Sequence, residues 1–168
     1  MSQTEHASVA RVRAAFAAAG IDPEVRRLAD TARSAAEAAA GLDVAVGQIA
    51  SSIVFRIEGA AGVEPLLVVT SGRHRVDTDL VGQTLGLVLR RADADFVRAW
   101  SGFAIGGVSP AGWLHDGEPF TPRTVIDTAL ADYDEVWAAA GHTHVVYRTT
   151  CTELAALTGG NLMTVARD

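Results

Sequence analysis

The chain has 168 residues, 49% of them hydrophobic, enough for one domain with a sizeable core. Its formal charge of −6 argues against DNA and against broad binding along any nucleic-acid backbone, but leaves room for a protein that grips a few terminal nucleotides. All 14 basic residues are arginine, so neither a Schiff base nor a lysine general base can form.

Residues 5–19 predict a first helix, with Val9, Val12, Phe16 and Ala19 on one face and Gly20 closing it. The N-terminus carries no apolar signal-peptide core, and no apolar run approaches the ~18–20 residues of a membrane span. A cytoplasmic protein is the default expectation. Asp22-Pro23 turns the chain, and residues 24–29 predict a short strand. An alanine-rich helix is expected through Ala40, capped by Asp30 or Thr31 and stopped by Gly41. QIASSIVFRI (48–57) and PLLVVT (65–70) predict strands. A polar connection, SGRHR (71–75), leads to Asp77 and a short helix to about Leu85. Residues 87–90 predict a third core strand, and Asp93 opens a helix through Trp100.

A glycine-rich loop follows, GGVSPAGW (106–113), with HDGEP (115–119) continuing it. Strands are then expected at 124–127, 135–140 and 144–149. Thr150-x-x-Glu153 predicts a capping box for a helix ending near Thr158, with Gly159-Gly160 as its stop, and 162–166 a weak last strand. Strands outnumber helices and the connections are irregular. The fold class is therefore α+β, a mixed sheet surrounded by helices in a single domain (1–168) with a helical N-terminal segment at about 1–30.

Several segments could carry chemistry. Three glycines and a proline within 106–113 suit a loop that aims bare main-chain groups at a small ligand, or an ordinary surface turn. His142-x-His144 would share one strand face and could ligate a metal if His115 or Asp116 joined them; the alternative sets His142 at a strand end beside a pocket. No metal is expected, because the ligand set is incomplete. Ser109, His142 and Asp116 form no recognisable triad, since the G-x-S-x-G elbow is absent. Arg73-His74-Arg75 could hold phosphates of an RNA end, or be a solvated connection with Arg75 paired to Asp77. Cys151 is the single cysteine, which excludes an intrachain disulfide and a multi-cysteine zinc site. It lies at a helix start, where a thiolate is stabilised, although its neighbours suggest packing. Trp100, Trp113 and Trp137 read as core or pocket wall.

Taken in order, GQIASSIVF (47–55), LVVTSG (67–72), RVD (75–77), GGVSP (106–110), AAGH (139–142) and LTGG (157–160) give the chain a specific likeness. It resembles the YbaK-like aminoacyl-tRNA deacylases, the family related to the editing domain of bacterial prolyl-tRNA synthetases, from about Thr31 to the C-terminus. The resemblance implies hydrolysis of the ester between a wrongly attached amino acid and the 3′ end of a tRNA, without metal or cofactor. It also implies that the G-x-x-x-P loop presents main-chain groups to the substrate, with a ribose hydroxyl or a positioned water taking part. The residues it assigns to the reaction are Gly106, Gly107, Ser109, Pro110 and Ser51. Those it assigns to substrate contact are Ser52, Val108, Ala139, Gly141 and His142 at the pocket rim, with Arg73 and Arg75 toward the tRNA end.

One departure stands out: where many members carry a lysine, this chain has Ser51. Ser51 exchanges hydrogen bonds but carries no charge. Loss of a cation beside a developing oxyanion would cost roughly 2–4 kcal/mol, by analogy with removing one oxyanion donor. Either activity is weak, or His142 or an arginine compensates, or the substrate differs. A binding module that kept the pocket and lost the chemistry is the alternative. The pocket is further depolarised at Ala139, where some members have serine.

Overall fold

The computed structural model describes residues 6–167; Glu5, the expected start of the first helix, lies outside them. Five helices pack on both faces of a curled mixed sheet. The strands are β1 (Val25–Arg27), β2 (Ile49–Gly59), β3 (Gly62–Ser71), β4 (Arg90–Arg91), β5 (Leu114–His115), β6 (Glu118–Pro119), β7 (Arg123–Asp127), β8 (Val136–His142), β9 (Val145–Thr149) and β10 (Asn161–Met163). The main sheet runs β1-β9-β8-β2-β3-β7-β10, and β4 pairs with a further stretch of β2. The pairs β2–β8, β3–β7 and β7–β10 are parallel and the rest antiparallel, which makes the sheet mixed.

On one face lie α1 (Ala7–Ala18), α4 (Ala94–Ser101) and α5 (Cys151–Thr158). Helix α1 inserts Val9, Val12 and Phe16, all buried, and the Phe16 ring meets Tyr147 at 4.5 Å. Each such side chain contributes ~1.5–3 kcal/mol of apolar burial before conformational entropy. The helix crosses β8 so closely that a Cβ at Gly141 would stand 2.7 Å from the Ser8 carbonyl oxygen. The opposite face carries α2 (Ala35–Leu42) over Ile49 and Trp137, and α3 (Thr78–Leu85) over Ile57, Leu66 and Val68.

Caps explain most boundaries. Asp77, Asp93 and Thr150 each accept from the backbone N–H three residues on, at 3.0, 2.8 and 3.0 Å, as their positions predict. The Thr150 box is half closed, because the Glu153 carboxylate accepts from the Thr149 hydroxyl at 3.0 Å.

Four expectations need correction. Helix α2 starts later, capped by Ser34 rather than Asp30 or Thr31, and runs through Gly41 to Leu42, where Asp43 takes the left-handed turn at φ 57°. Residues 87–90 are not a core strand. Leu87 and Leu89 pack half-buried against the α3 cluster, and only the exposed Arg90–Arg91 pair with β2. Residues 115–119 close a small hairpin, β5–β6, instead of prolonging the loop. Finally, β8 ends at His142, so His142 and His144 flank a turn instead of sharing a strand face.

Candidate active site

Strand β2 is where the sheet opens. Its outer edge pairs with β8 only at Ile49 and Ala50, and with β4 only at Phe55 and Arg56. Residues 51–54 have no partner strand on that side. The Gly72 N–H donates to the Ile49 carbonyl at 2.7 Å, so odd-numbered residues of β2 bond to β3. By antiparallel alternation, Ser52 directs its N–H and C=O, and Val54 its N–H, into the opening. A strand normally hides these groups; here they are free for a ligand.

A pocket of about 720 Å³ fills this opening, within the ~300–1,000 Å³ range of small-ligand sites. Between α2 and α3, Ser51 and the exposed Ile53 form its floor, and Arg33, Ala35, Ala38 and Trp137 wall the α2 side. Through the opening, Ser52, Val54, Val97, Ile105, Gly106, Val108 and Thr143 line the other side. Ala139, Leu89 and Arg91 complete the rim. No carboxylate, imidazole, thiol or lysine is among the lining residues. Two buried polar atoms in the lining have no hydrogen-bond partner, the Ser52 hydroxyl and the Trp137 indole nitrogen. Such atoms each cost ~1–3 kcal/mol unless a ligand or water meets them.

The glycine loop is seated from both ends. Gly106 takes φ +87° beside Thr143 and lines the pocket. Gly107 presses against the β8–β9 turn, where a Cβ would lie 3.0 Å from the Thr143 nitrogen and 3.1 Å from His142. Val108 is buried and faces the cavity. Ser109 and Pro110 are also buried but stand outside the lining. The Ser109 hydroxyl accepts from the Ala111 N–H at 3.2 Å, and its carbonyl accepts from the Trp113 indole at 2.7 Å. Arg11 of α1 donates to the Gly112 carbonyl at 2.7 Å. These contacts make Ser109 a brace of the loop, and the buried Pro110 fixes the turn beside it.

Of the residues expected at the site, Ser51, Ser52, Gly106, Val108 and Ala139 therefore line the pocket, while Gly107, Ser109, Pro110, Gly141, His142, Arg73 and Arg75 do not. Gly141 is spent on the α1 crossing. His142 sits in a group of rings with His6 at 5.4 Å and His144 at 5.8 Å. Its Nδ1 accepts from the His144 N–H at 3.2 Å. Partial burial, then the neighbouring His6, His144 and Arg27, hold its pKa below the usual histidine value. Among the described residues, no three His, Cys, Asp or Glu are placed to hold a metal.

Arg73 pairs with Asp132 at 3.1 Å, away from the cavity. Arg75 does not pair with Asp77, whose carboxylate caps α3 and meets Arg167 at 3.7 Å. His74 belongs to a polar knot: Asp127, 1% exposed, accepts from its Nδ1 at 2.8 Å, from the Ser71 and Ala129 N–H groups at 3.0 and 2.9 Å, and from the Thr70 hydroxyl at 3.2 Å. Burial raises the Asp127 pKa, but the two backbone donors and His74 outweigh it and hold the carboxyl below its ordinary value. Cys151 is buried, and burial followed by the Asp127 charge pushes its thiol up, so it is a packing residue. Trp113 is core, Trp100 stacks on His115 at 3.9 Å, and Trp137 is pocket wall.

Sequence reasoning missed Arg33, Arg91, Thr143 and Ile105. Arg33 and Arg91 stand immediately before cap regions at Ser34 and Asp93, and nothing local shows that both reach one cavity.

The model of the aminoacyl-tRNA editing domain matches residues 29–157. A solved structure described as a candidate trans-editing enzyme for prolyl tRNA synthetase is 36% identical, with a TM-score of 0.85, and the alignment covers 98% of this chain and 100% of that one. A second solved structure, hypothetical protein APE2540, is 25% identical with a TM-score of 0.78, over 94% and 99% of the two chains. Uncharacterized protein YwhH of Bacillus subtilis (strain 168) is 30% identical over 90 residues, 54% of each chain, so the match spans about half of that relative's length.

Proposed function

This chain belongs to the aminoacyl-tRNA editing domain family, and we propose that it acts in trans as a deacylase, cleaving the ester of a mischarged aminoacyl-tRNA. The observation that carries the reading is the cavity at the interrupted edge of β2, bounded by Gly106 and Val108 and lined by no carboxylate, imidazole or thiol that could act as a base. Ester hydrolysis at such a site depends on orientation and on fixed dipoles, not on a side-chain base. The main-chain groups of Ser52 and Val54 and the Gly106–Val108 loop hold the aminoacyl ester. A water held beside the ester, with a ribose hydroxyl helping to orient it, attacks the ester carbonyl carbon; the bond to the 3′ oxygen breaks, and that oxygen takes up a proton by way of solvent while the acyl carbon keeps the water oxygen. The products are the free amino acid and an intact tRNA end. Gly107, Ser109 and Pro110 act by bracing that loop, and Ser51 forms the floor.

The second reading, a binding module without turnover, draws on Ser51 standing where many relatives carry lysine. One experiment separates the two. The protein is incubated with a panel of mischarged tRNAs, beside a lysine-bearing relative. Release of at least one amino acid well above spontaneous hydrolysis supports the deacylase. Background rates throughout, with retained binding of a non-hydrolysable aminoacyl-adenosine analogue, leave the binding module.

A further inference from the structure

Four arginines surround the open stretch of β2. Arg33 and Arg91 line the pocket, and Arg56 and Arg90 lie directly opposite each other where β4 joins β2. All four are exposed. Among the described residues, none of their guanidinium groups has a carboxylate within 4.0 Å. The Glu37 carboxylate accepts from the Arg33 backbone N–H at 3.4 Å, not from its guanidinium. Five other arginines meet carboxylates among the described residues: Arg26 with Glu24, Arg27 with Asp30, Arg73 with Asp132, Arg148 with Glu24 and Glu135, and Arg167 with Asp77. Among the described residues Arg11, Arg75, Arg98 and Arg123 are also without a carboxylate partner, but none of them stands on β2, on β4 or in the pocket lining.

The Arg56–Arg90 pairing is unfavourable for folding, because like charges directly opposite on adjacent strands repel. Strand β4 is only these two exposed residues, Arg90 and Arg91. In a chain of net charge −6, a cluster of unneutralised guanidinium groups around a cavity mouth is a local reversal of the overall field. Guanidinium is suited to phosphate, which it grips with paired N–H donors.

We infer that Arg33, Arg56, Arg90 and Arg91 form a cationic track that holds the phosphates of the 3′-terminal nucleotides of the RNA whose ester enters the pocket. The partner is a single-stranded RNA end, and this rests on the deacylase reading for the ester itself. The track takes the place of Arg73 and Arg75, which lie away from the cavity. It also lets an acidic protein hold a few nucleotides while repelling the rest of the backbone.

The test uses unacylated tRNA, so that it does not depend on turnover. Binding of intact tRNA, and of the same tRNA trimmed of its single-stranded 3′ nucleotides, is measured from 50 to 300 mM salt. Each phosphate neutralised on a single strand contributes about −0.7 to the slope of log affinity against log salt. The track predicts that R56Q/R90Q weakens binding of intact tRNA at least tenfold and flattens the slope by about 1.4, for two phosphates. It predicts that R33Q/R91Q does the same, that trimming the wild-type ligand costs as much, and that the control R123Q changes neither. The melting temperature of R56Q/R90Q should not fall, since a repulsive pair is removed. Equal losses from R123Q, indifference to trimming, or a slope unaffected by either double substitution would overturn the track. Absence of deacylation with these binding results intact would instead remove the hydrolase reading and leave the track standing.

Discussion

Two polar regions lie at opposite edges of the β2–β3 pair, and they are built on opposite rules. At the end of β3, Asp127 is buried with four donors, from Ser71, Ala129, Thr70 and His74, and each adds to the fold. Beside β2, the Ser52 hydroxyl and the Trp137 indole are buried without partners, the outer strand edge is open over residues 51–54, and Ile53 is 39% exposed. The first region is satisfied within the protein. The second is satisfied only by something that enters it. By local pattern the two look reversed: SGRHR offers the more obvious chemistry, and IASSIV reads as a strand that only the family likeness marks, through Ser51 and Ser52, as part of the site.

The contrast breaks most visibly at the knot. Asp127→Asn sets an amide N–H against N–H donors, and it should cost about 3 kcal/mol of stability, read from the denaturant midpoint. A loss under 1 kcal/mol would show that the knot is not a structural element. Next comes Gly107→Ala, where the added Cβ meets backbone at 3.0–3.1 Å. Displacing the loop from the His142–Thr143 turn should lower the deacylation rate about a hundredfold, some 2.7 kcal/mol in barrier. Stability should fall less than with Asp127→Asn, because a shifted loop leaves no buried charge or hydrogen-bond donor set without its partner. Ser51→Lys tests the floor of the cleft. Filling it with a long cation should slow the reaction about tenfold or more, and a rise from near zero would show that the missing lysine had been needed and favour the binding module.

The smallest effect is in acid. Asp127 has its folded pKa below the ordinary 3.8, so its stabilisation is present above that pH and lost as pH falls through the lowered value. His142 has its folded pKa below the ordinary 6.5, so the unfolded chain takes up protons first and stability declines as pH drops below 6.5. His142→Asn should flatten the decline in melting temperature just below pH 6.5, and Asp127→Asn only the decline below about pH 4. An unchanged profile in His142→Asn would mean that this ring carries no linkage.

The sequence was most legible where the signal is local. Asp77, Asp93 and Thr150 announce their helices, because a cap acts on an N–H three residues away. The alternation in IASSIVFRI and the apolar run PLLVVT likewise show two adjacent strands. The ordered segments from 47–55 to 157–160 carried the family likeness, which the match over 29–157 shows independently. Local rules failed where several residues could cap, as with Asp30, Thr31 and Ser34, and where packing decided, as with Leu87 and Leu89. The site was half visible. Ser51, Ser52, Gly106, Val108 and Ala139 reach the pocket from motif segments, whereas Arg33 and Arg91 reach it only because the edge of β2 is interrupted. That interruption is a fact of pairing between residues 34 to 88 positions apart, and no window of sequence contains it.

The central claim is that the cleft works without an ionising side chain as base. It is tested most directly by the pH dependence of kcat/KM for wild type and His142→Asn on the ester that is cleared fastest. The account predicts two superimposable profiles, because His142 stands outside the cavity and only braces its rim. A wild-type inflection below pH 6.5 that His142→Asn abolishes would contradict it and make the imidazole the base.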